Sequence, residues 1–292
     1  RQAMEEIGLR GVLCYEVTDR GGEKERDLGL RENERFIRES RSGELFRGLV
    51  GAHAAFTLSE KSLRLCGELA GEYRTGVHVH AAEDRADVDD VAENYCRSVV
   101  DRLRAANCLT PSSICAHGVH LTRNDIRHIQ ESKSWLVHNP RSNMNNSVGY
   151  APVHHFGERT AVGTDGFPAD MFEEARAGFF KMKDSKTPPS DIVAKLQAGQ
   201  QLVSEIFGRQ FGKLMKGSVA DLVLLDYDPP TPMTLENLPG HFLFGMRSSD
   251  VGAVMVAGKW VVRDRAVIGV DLPLLYAKAR KAAKKLWTRM EK

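Results

Sequence analysis

The sequence has no apolar run approaching the roughly 20 residues that a membrane-spanning helix needs, and no signal peptide. It has no surplus of one charge: 41 Lys and Arg stand against 39 Asp and Glu, a net +2. That balance gives no reason to expect nucleic acid or an anionic membrane as partner. Paired cysteines are missing too. Cys14, Cys66, Cys96, Cys108 and Cys115 are scattered without CxxC spacing, an odd set that reads as reduced thiols in a cytoplasmic protein. Internal repeats and low-complexity stretches are absent. An initiator Met is also lacking. The chain opens Arg1-Gln2-Ala3-Met4-Glu5-Glu6-Ile7-Gly8, the end of a helix with Gly8 as its stop, so a fragment of a longer protein is expected.

What is there is ordinary globular composition, 42% hydrophobic and 27% charged over 292 residues. That length suits one large α/β domain or a barrel with a small appendage. The chain is organised around Gly76-Val77-His78-Val79-His80-Ala81-Ala82-Glu83-Asp84, a buried strand running into a loop that carries an acid. Period-two geometry puts His78 and His80 on one face. Imidazole is a ligand for Zn²⁺ or Fe²⁺, and a nearby carboxylate outside the ligand set can move protons. A lone His pair on a strand is more often a hydrogen-bonded core pair. The neighbouring segments overturn that reading here.

Strand-like segments end in His or Asp five times, at His53, His80, His117, His138 and Asp165, with gaps of 27, 37, 21 and 27 residues. A strand, a helix and two short loops need about that much chain. Consecutive parallel strands would thus deliver a polar residue at the same end. An open sheet would spread these residues along a line, whereas a barrel gathers them at one mouth. The expected fold is α/β, a (β/α)₈ TIM-type barrel whose first one or two strands are missing.

Other elements follow from local signals. Gly11–Val17 reads as one strand, 18–30 as a charged loop, Arg31–Arg41 as a helix, and Ser59 as the N-cap of a helix through Tyr73. A long helix is expected from about Asp87 to Ala106. A Pro188-Pro189 break separates two later helices. Beyond them, Val219–Asp226 and Val251–Val262 read as short strands turning at Gly258, a small incomplete C-terminal β-sandwich. The domains are therefore residues 1–210, the barrel, and residues 211–292, the remnant sandwich with a C-terminal helix. On the basic tail, Leu274, Leu275 and Trp287 are expected to pack inward.

The motifs His80-Ala81-Ala82-Glu83, Ala116-His117-Gly118, Val137-His138-Asn139-Pro140 with Ser142-Asn143, and Gly163-Thr164-Asp165-Gly166 resemble the amidohydrolase superfamily in its deaminase and chlorohydrolase branch. The tail segments Gly217–Leu222 and Val256–Lys259 resemble that family's closing sandwich. Within the branch, the chain is similar to the aminohydrolases of selenium-associated gene clusters. The resemblance implies one divalent ion, Zn²⁺ or Fe²⁺, held by His80 and Asp165. The family's remaining ligands form an HxH pair on its first strand. His78-Val79-His80 is not that pair, because only 85 residues separate His80 from Asp165, room for about three βα units and not seven. The chain as given is thus expected to bind metal weakly and be inactive by itself.

By the same resemblance, Asp165 takes a proton from the activated water and Glu83 carries protons to the ring and the leaving group. His117 supports the tetrahedral state. His53, His138 and Asn139 face or support the substrate, while His78 is structural. The expected activity is hydrolysis of a C–N bond, deaminating a purine-, pyrimidine- or triazine-like ring. Alternatives are C–Cl or cyclic-amide cleavage on the same scaffold, or an inactive interaction protein. The expected partner is a small molecule, without nucleic acid or membrane, and a homodimer is compatible with all of this.

Overall fold

The computed structural model describes residues 1–183 and 189–291; Pro188, half of the expected helix break, lies outside the described residues. In chain order the elements are α1 (Gln2–Ile7), β1 (Gly11–Leu13), β2 (Glu16–Val17), α2 (Glu23–Ser40), β3 (Phe46–Gly48) and β4 (Val50–Ala54). Then come α3 (Glu60–Tyr73), β5 (Val77–Ala81), α4 (Arg85–Tyr95), α5 (Val99–Ala105), β6 (Ile114–His117), α6 (Arg123–Glu131), β7 (Trp135–His138) and α7 (Pro140–Asn145). β8 (Thr160–Val162), α8 (Met171–Lys183) and α9 (Pro189–Phe207) complete the α/β part. β9 (Leu222–Leu225), a helical turn α10 (Leu238–Gly240), β10 (Val251–Val256), β11 (Lys259–Arg263), β12 (Ala266–Val267) and α11 (Leu272–Met290) follow.

Six strands form one sheet in the order β2-β4-β5-β6-β7-β8, every pair parallel, while β1 pairs in parallel with β3. Strand and helix alternate along it, the wiring of a (β/α) barrel wall, as the α/β reading expected. One face of the sheet is apolar. Val50, Ala52, Val77, Val79, Ala81, Cys115 and Leu136 are buried there with Leu63, Cys66, Val100, Leu103 and Ile129 of the crossover helices. Burying side chains of this kind contributes about 1.5–3 kcal/mol each. The intervening residues Gly51, His53, His78 and His80 take the other face by alternation. β9 to β12 form a separate antiparallel sheet, ordered β12-β11-β10-β9, with Gly258 at φ 77° in the β10–β11 turn.

Several local expectations change. The strand read over Gly11–Val17 is two strands, because a side chain of α2 draws off the backbone of Tyr15 between them. The buried Asn33 amide accepts from Tyr15 N at 2.7 Å and donates to Tyr15 O at 2.8 Å, taking both backbone groups of Tyr15 out of the ladder. The stretch read as a loop over 18–30 is largely helical, since α2 begins at Glu23. The long helix expected from Asp87 to Ala106 breaks at Cys96, which caps α4 at φ 51°, and Ser98 then caps α5 through Asp101 N. Ser59 does cap α3, its hydroxyl accepting from Ser62 N. On α11, Leu274, Leu275 and Trp287 are exposed, not packed inward, because none of the described residues covers that helix.

Candidate functional site

The carboxyl ends of the strands carry the polar residues. The His53 and His80 rings lie 5.5 Å apart, and the His80 and His117 rings 5.3 Å apart. Ligand-capable atoms of Glu83, His117 and Asp165 all lie within 4.8 Å of one another, and so do those of Glu16, His53 and His80. Strands in a flat sheet sit about 4.8 Å apart. An acid on β2 meets the β4–β5 end of the histidine row and an acid after β8 meets its β6 end, so both outer strands contribute, as in a sheet that rolls. The roll follows from the twist that neighbouring parallel strands accumulate.

Backbone geometry turns these residues inwards. Ala82, His117 and Asp165, each just past or at the end of its strand, have φ of 51°, 71° and 52°. Such left-handed conformations cost a non-glycine residue about 1 kcal/mol or more and persist where surrounding bonds enforce them. For Ala82 the enforcing bond is visible: its N–H donates to Asp87 Oδ2 at 2.8 Å. Asp87 Oδ1 accepts from Phe56 N at 3.1 Å, so one buried carboxylate ties the turn after β4 to the end of β5. Burial pushes the Asp87 carboxyl up to about 6, against the pull of those two N–H groups. Arg102, fully buried, donates to Ala55 O at 2.7 Å and Leu58 O at 3.0 Å and holds the same turn.

That turn fixes His53. Thr57 Oγ1 donates to Ala54 O at 3.1 Å, so at 2.8 Å from His53 Nδ1 it accepts a hydrogen bond from the ring N–H. The Nε2 lone pair of His53 has no donor among the described residues. This carbonyl–hydroxyl–imidazole chain is how proteins orient a ligating or accepting histidine. The ring nitrogens of His80 make no hydrogen bond among the described residues. Burial and the neighbouring His117 lower the His80 pKa, against Glu83, so its ring is neutral and able to ligate.

The second group is held by one helix. Asn139, Ser142, Asn143 and Asn146 stand at i, i+3, i+4 and i+7, one face of α7 and its flanks. Asn139 Oδ1 accepts from His117 N at 3.3 Å, and Asn143 Oδ1 accepts from His117 Nδ1 at 2.9 Å. The Ser142 hydroxyl donates to Asp165 Oδ2, and the Asn146 amide donates to Glu83 Oε1 at 3.2 Å. With Nδ1 donating to Asn143, His117 presents Nε2 to Glu83 Oε2, 3.4 Å away. Burial raises the Asp165 pKa, but the Ser142 hydroxyl, His117 and Gly166 N–H outweigh it and leave Asp165 below the usual carboxylate value. The helix is itself anchored: the fully buried Glu174 accepts from Arg141 N at 3.0 Å and pairs with the Arg141 guanidinium.

Glu83, His117 and Asp165 thus meet. His80, expected to share a metal with Asp165, falls in the other group, with His117 between the two. His138 does not join either. By alternation it shares the face of Leu136, turned towards the helices, and it is buried with no partner on either ring nitrogen among the described residues. Burial, then Lys195 and His117, push its pKa down to about 3. His78, on the histidine face, is pushed down to about 4 by burial and its neighbours His80 and His117.

Sequence reasoning gave no role to Glu16, Ser142, Asn143 or Asn146. The helical spacing of 139, 142, 143 and 146 could have flagged the last three. For Glu16 there was no local signal.

The Amidohydrolase family model matches residues 1–261. A 5-methylthioadenosine/S-adenosylhomocysteine deaminase of Caldanaerobacter subterraneus is 29% identical over 299 residues, covering 98% of this chain and 69% of its own length. A 5'-deoxyadenosine deaminase of Methanosarcina barkeri is 30% identical over 300 residues, covering 99% and 69%. Among solved structures, an adenosine deaminase from Xanthomonas campestris with bound zinc superposes at a TM-score of 0.88 with 22% identity, over 98% of this chain and 68% of that one. An atrazine chlorohydrolase from Arthrobacter aurescens complexed with zinc gives 0.80 at 16% identity, over 96% and 67%. The two structures speak for the fold alone.

Proposed function

The chain belongs to the amidohydrolase family, and from that premise we propose that it serves a metal-dependent hydrolase deaminating an amino-substituted heterocycle. The observation that carries this reading is the Glu83–His117 contact, 3.4 Å, beside Asp165 and pinned by α7. Replacing an exocyclic amine by oxygen needs a group that delivers protons to the ring and to departing ammonia, and Glu83 stands where such a group is required. The curated relatives named above are deaminases of adenosine derivatives, which favours a purine-like ring.

The donor set suits a divalent ion. His80 offers a neutral imidazole with no hydrogen bond among the described residues, and Asp165 a carboxylate held below its usual pKa. We assign the ion to His80 and Asp165, with zinc favoured because both solved neighbours carry it. When bound, such an ion supplies Lewis acidity that lowers the pKa of water by several units.

The chain's own groups do the rest. Asp165, held below its ordinary pKa, accepts a proton from the attacking water. Glu83 receives both protons of that water in turn, the first by way of Asp165 and the second from the new C–OH. It passes one to the ring nitrogen next to the carbon under attack and the other to the amine as the C–N bond breaks and ammonia leaves. His117, its Nδ1 locked by Asn143, turns Nε2 to the attacking water and hydrogen-bonds its O–H as the tetrahedral state forms. His53, with its lone pair aimed into the site by Thr57, contacts the ring, and Asn139 supports His117 from behind. We place this machinery in a barrel over 1–210, with the antiparallel sheet and last helix in 211–292.

The test is ammonia release from a panel of amino-purines, amino-pyrimidines and amino-triazines by the protein carrying this chain, with zinc content measured alongside. Ammonia release that depends on Glu83 supports the reading. Release of chloride or ring opening without ammonia overturns it.

A further inference from the structure

Glu16 is a carboxylate with no assigned task. It lies within 4.8 Å of nitrogens on both His53 and His80, yet it makes no hydrogen bond or ion pair among the described residues. Its placement is built, not incidental. Asn33, completely buried on α2, takes both backbone groups of Tyr15 and breaks the strand immediately before Glu16. Glu16 then pairs with Gly51 of β4, where a Cβ would come within 2.3 Å of Tyr15 O, so only glycine admits this approach. Val17, the next residue, is buried in the helix-facing core, which leaves the Glu16 side chain on the histidine side. Asn33 also accepts weakly from Gly51 N at 3.4 Å, joining the two strands at this point.

A carboxylate kept free of Lys and Arg beside a ligand site is an acceptor waiting for donors. Arg20, on the loop after β2, lies over the Phe56 ring at 5.7 Å and pairs with none of the acids in the mouth. Two carboxylate oxygens suit two adjacent donors, N–H or O–H, in one plane. Glu16 sits across His80 and His117 from Glu83, on the side away from proton delivery.

Resting on the deaminase reading, we infer that Glu16 is a specificity-determining residue that accepts paired N–H or O–H donors from the substrate. Those donors come either from an amino group on the ring or from the diol of an attached sugar. The site therefore selects donor-rich amino heterocycles, and Glu16 acts on binding, not on the chemical step.

The test uses two matched pairs: 2,6-diaminopurine against adenine for the ring source, and adenosine against 2',3'-dideoxyadenosine for the sugar source. Binding to the protein is measured by calorimetry, with ammonia release and zinc content measured in parallel. Wild type should prefer the donor-bearing member of one pair by about ten- to hundredfold, the size of one charge-assisted contact. In Glu16→Gln and Glu16→Ala that preference should shrink to a few-fold, with KM raised, kcat nearly constant and zinc retained. No preference in wild type, an unchanged preference in both variants, or loss of zinc with Glu16 overturns the inference. If wild type releases no ammonia but binds in a Glu16-dependent way, the deaminase reading falls and the recognition role stands.

Discussion

The Asn146 amide donates to Glu83 Oε1 at 3.2 Å, across 63 residues of chain, so the end of a short helix after β7 orients the acid after β5. The opposite oxygen of the same carboxylate is the one 3.4 Å from His117 Nε2. Glu83 is thereby held by one oxygen and offers the other. Asn146→Ala should free the carboxylate to rotate and cut ammonia turnover by about tenfold, the size of one net hydrogen bond. Bound zinc should stay level. Steady-state kinetics with elemental analysis checks both, and unaltered kcat would remove Asn146 from the positioning set.

Glu83→Gln and Asp165→Asn should fail in different ways. The first keeps size and the bond from Asn146 but cannot carry protons, so turnover should fall ~10²–10⁴-fold with metal near wild type. The second removes a charged ligand, so metal and activity should fall together, with partial recovery in excess zinc. Ammonia assays beside metal analysis separate them. Equal metal loss in both would contradict the division of roles.

Asp87 links stability to pH. Its carboxyl is pushed up to about 6 from an ordinary 3.8, so ionising it in the folded state is disfavoured. Its contribution to stability is full below about pH 4 and is lost as pH rises through about 6, roughly 3 kcal/mol in all. Denaturant midpoints for wild type minus Asp87→Asn should therefore fall between pH 4 and 6 and level off above. Asp87→Ala, which strands the N–H groups of Ala82 and Phe56, should cost about 2–5 kcal/mol at any pH. A flat difference between wild type and Asp87→Asn would show that burial does not shift this group.

His138→Leu should leave ammonia turnover within a few-fold, since the ring faces away from the histidine row. It should also stabilise the fold, by about 1–3 kcal/mol, because two buried nitrogens without partners among the described residues are replaced by carbon. The sign of the pH dependence follows from a pKa pushed down to about 3. Wild-type stability from the neutral ring is complete above about 6.5 and lost as pH falls towards 3, so the variant's advantage should grow in acid. Thermal melts at pH 5 and pH 8 measure it. A large loss of activity would return His138 to the substrate.

The sequence by itself determined the alternation of strands and helices and the residues that end the strands. His53, His80, His117 and Asp165 were legible because strand period and βα spacing are properties of neighbouring residues along the chain. The cap at Ser59 was legible for the same reason, its hydroxyl bonding a backbone N–H three residues on. Tertiary structure alone decided which groups meet. Glu16 reaches His80 only because Asn33, 18 residues beyond Tyr15, draws off a backbone that would otherwise continue a strand. His138 looked like its neighbours in sequence, but which face of β7 turns inward is set by packing of Leu136 against the helices. Asn146 and Glu83 are partners only once two separate crossovers bring their strand ends together. Contacts of that kind depend on how the sheet rolls and which face is buried, and neither is encoded in any one stretch of residues.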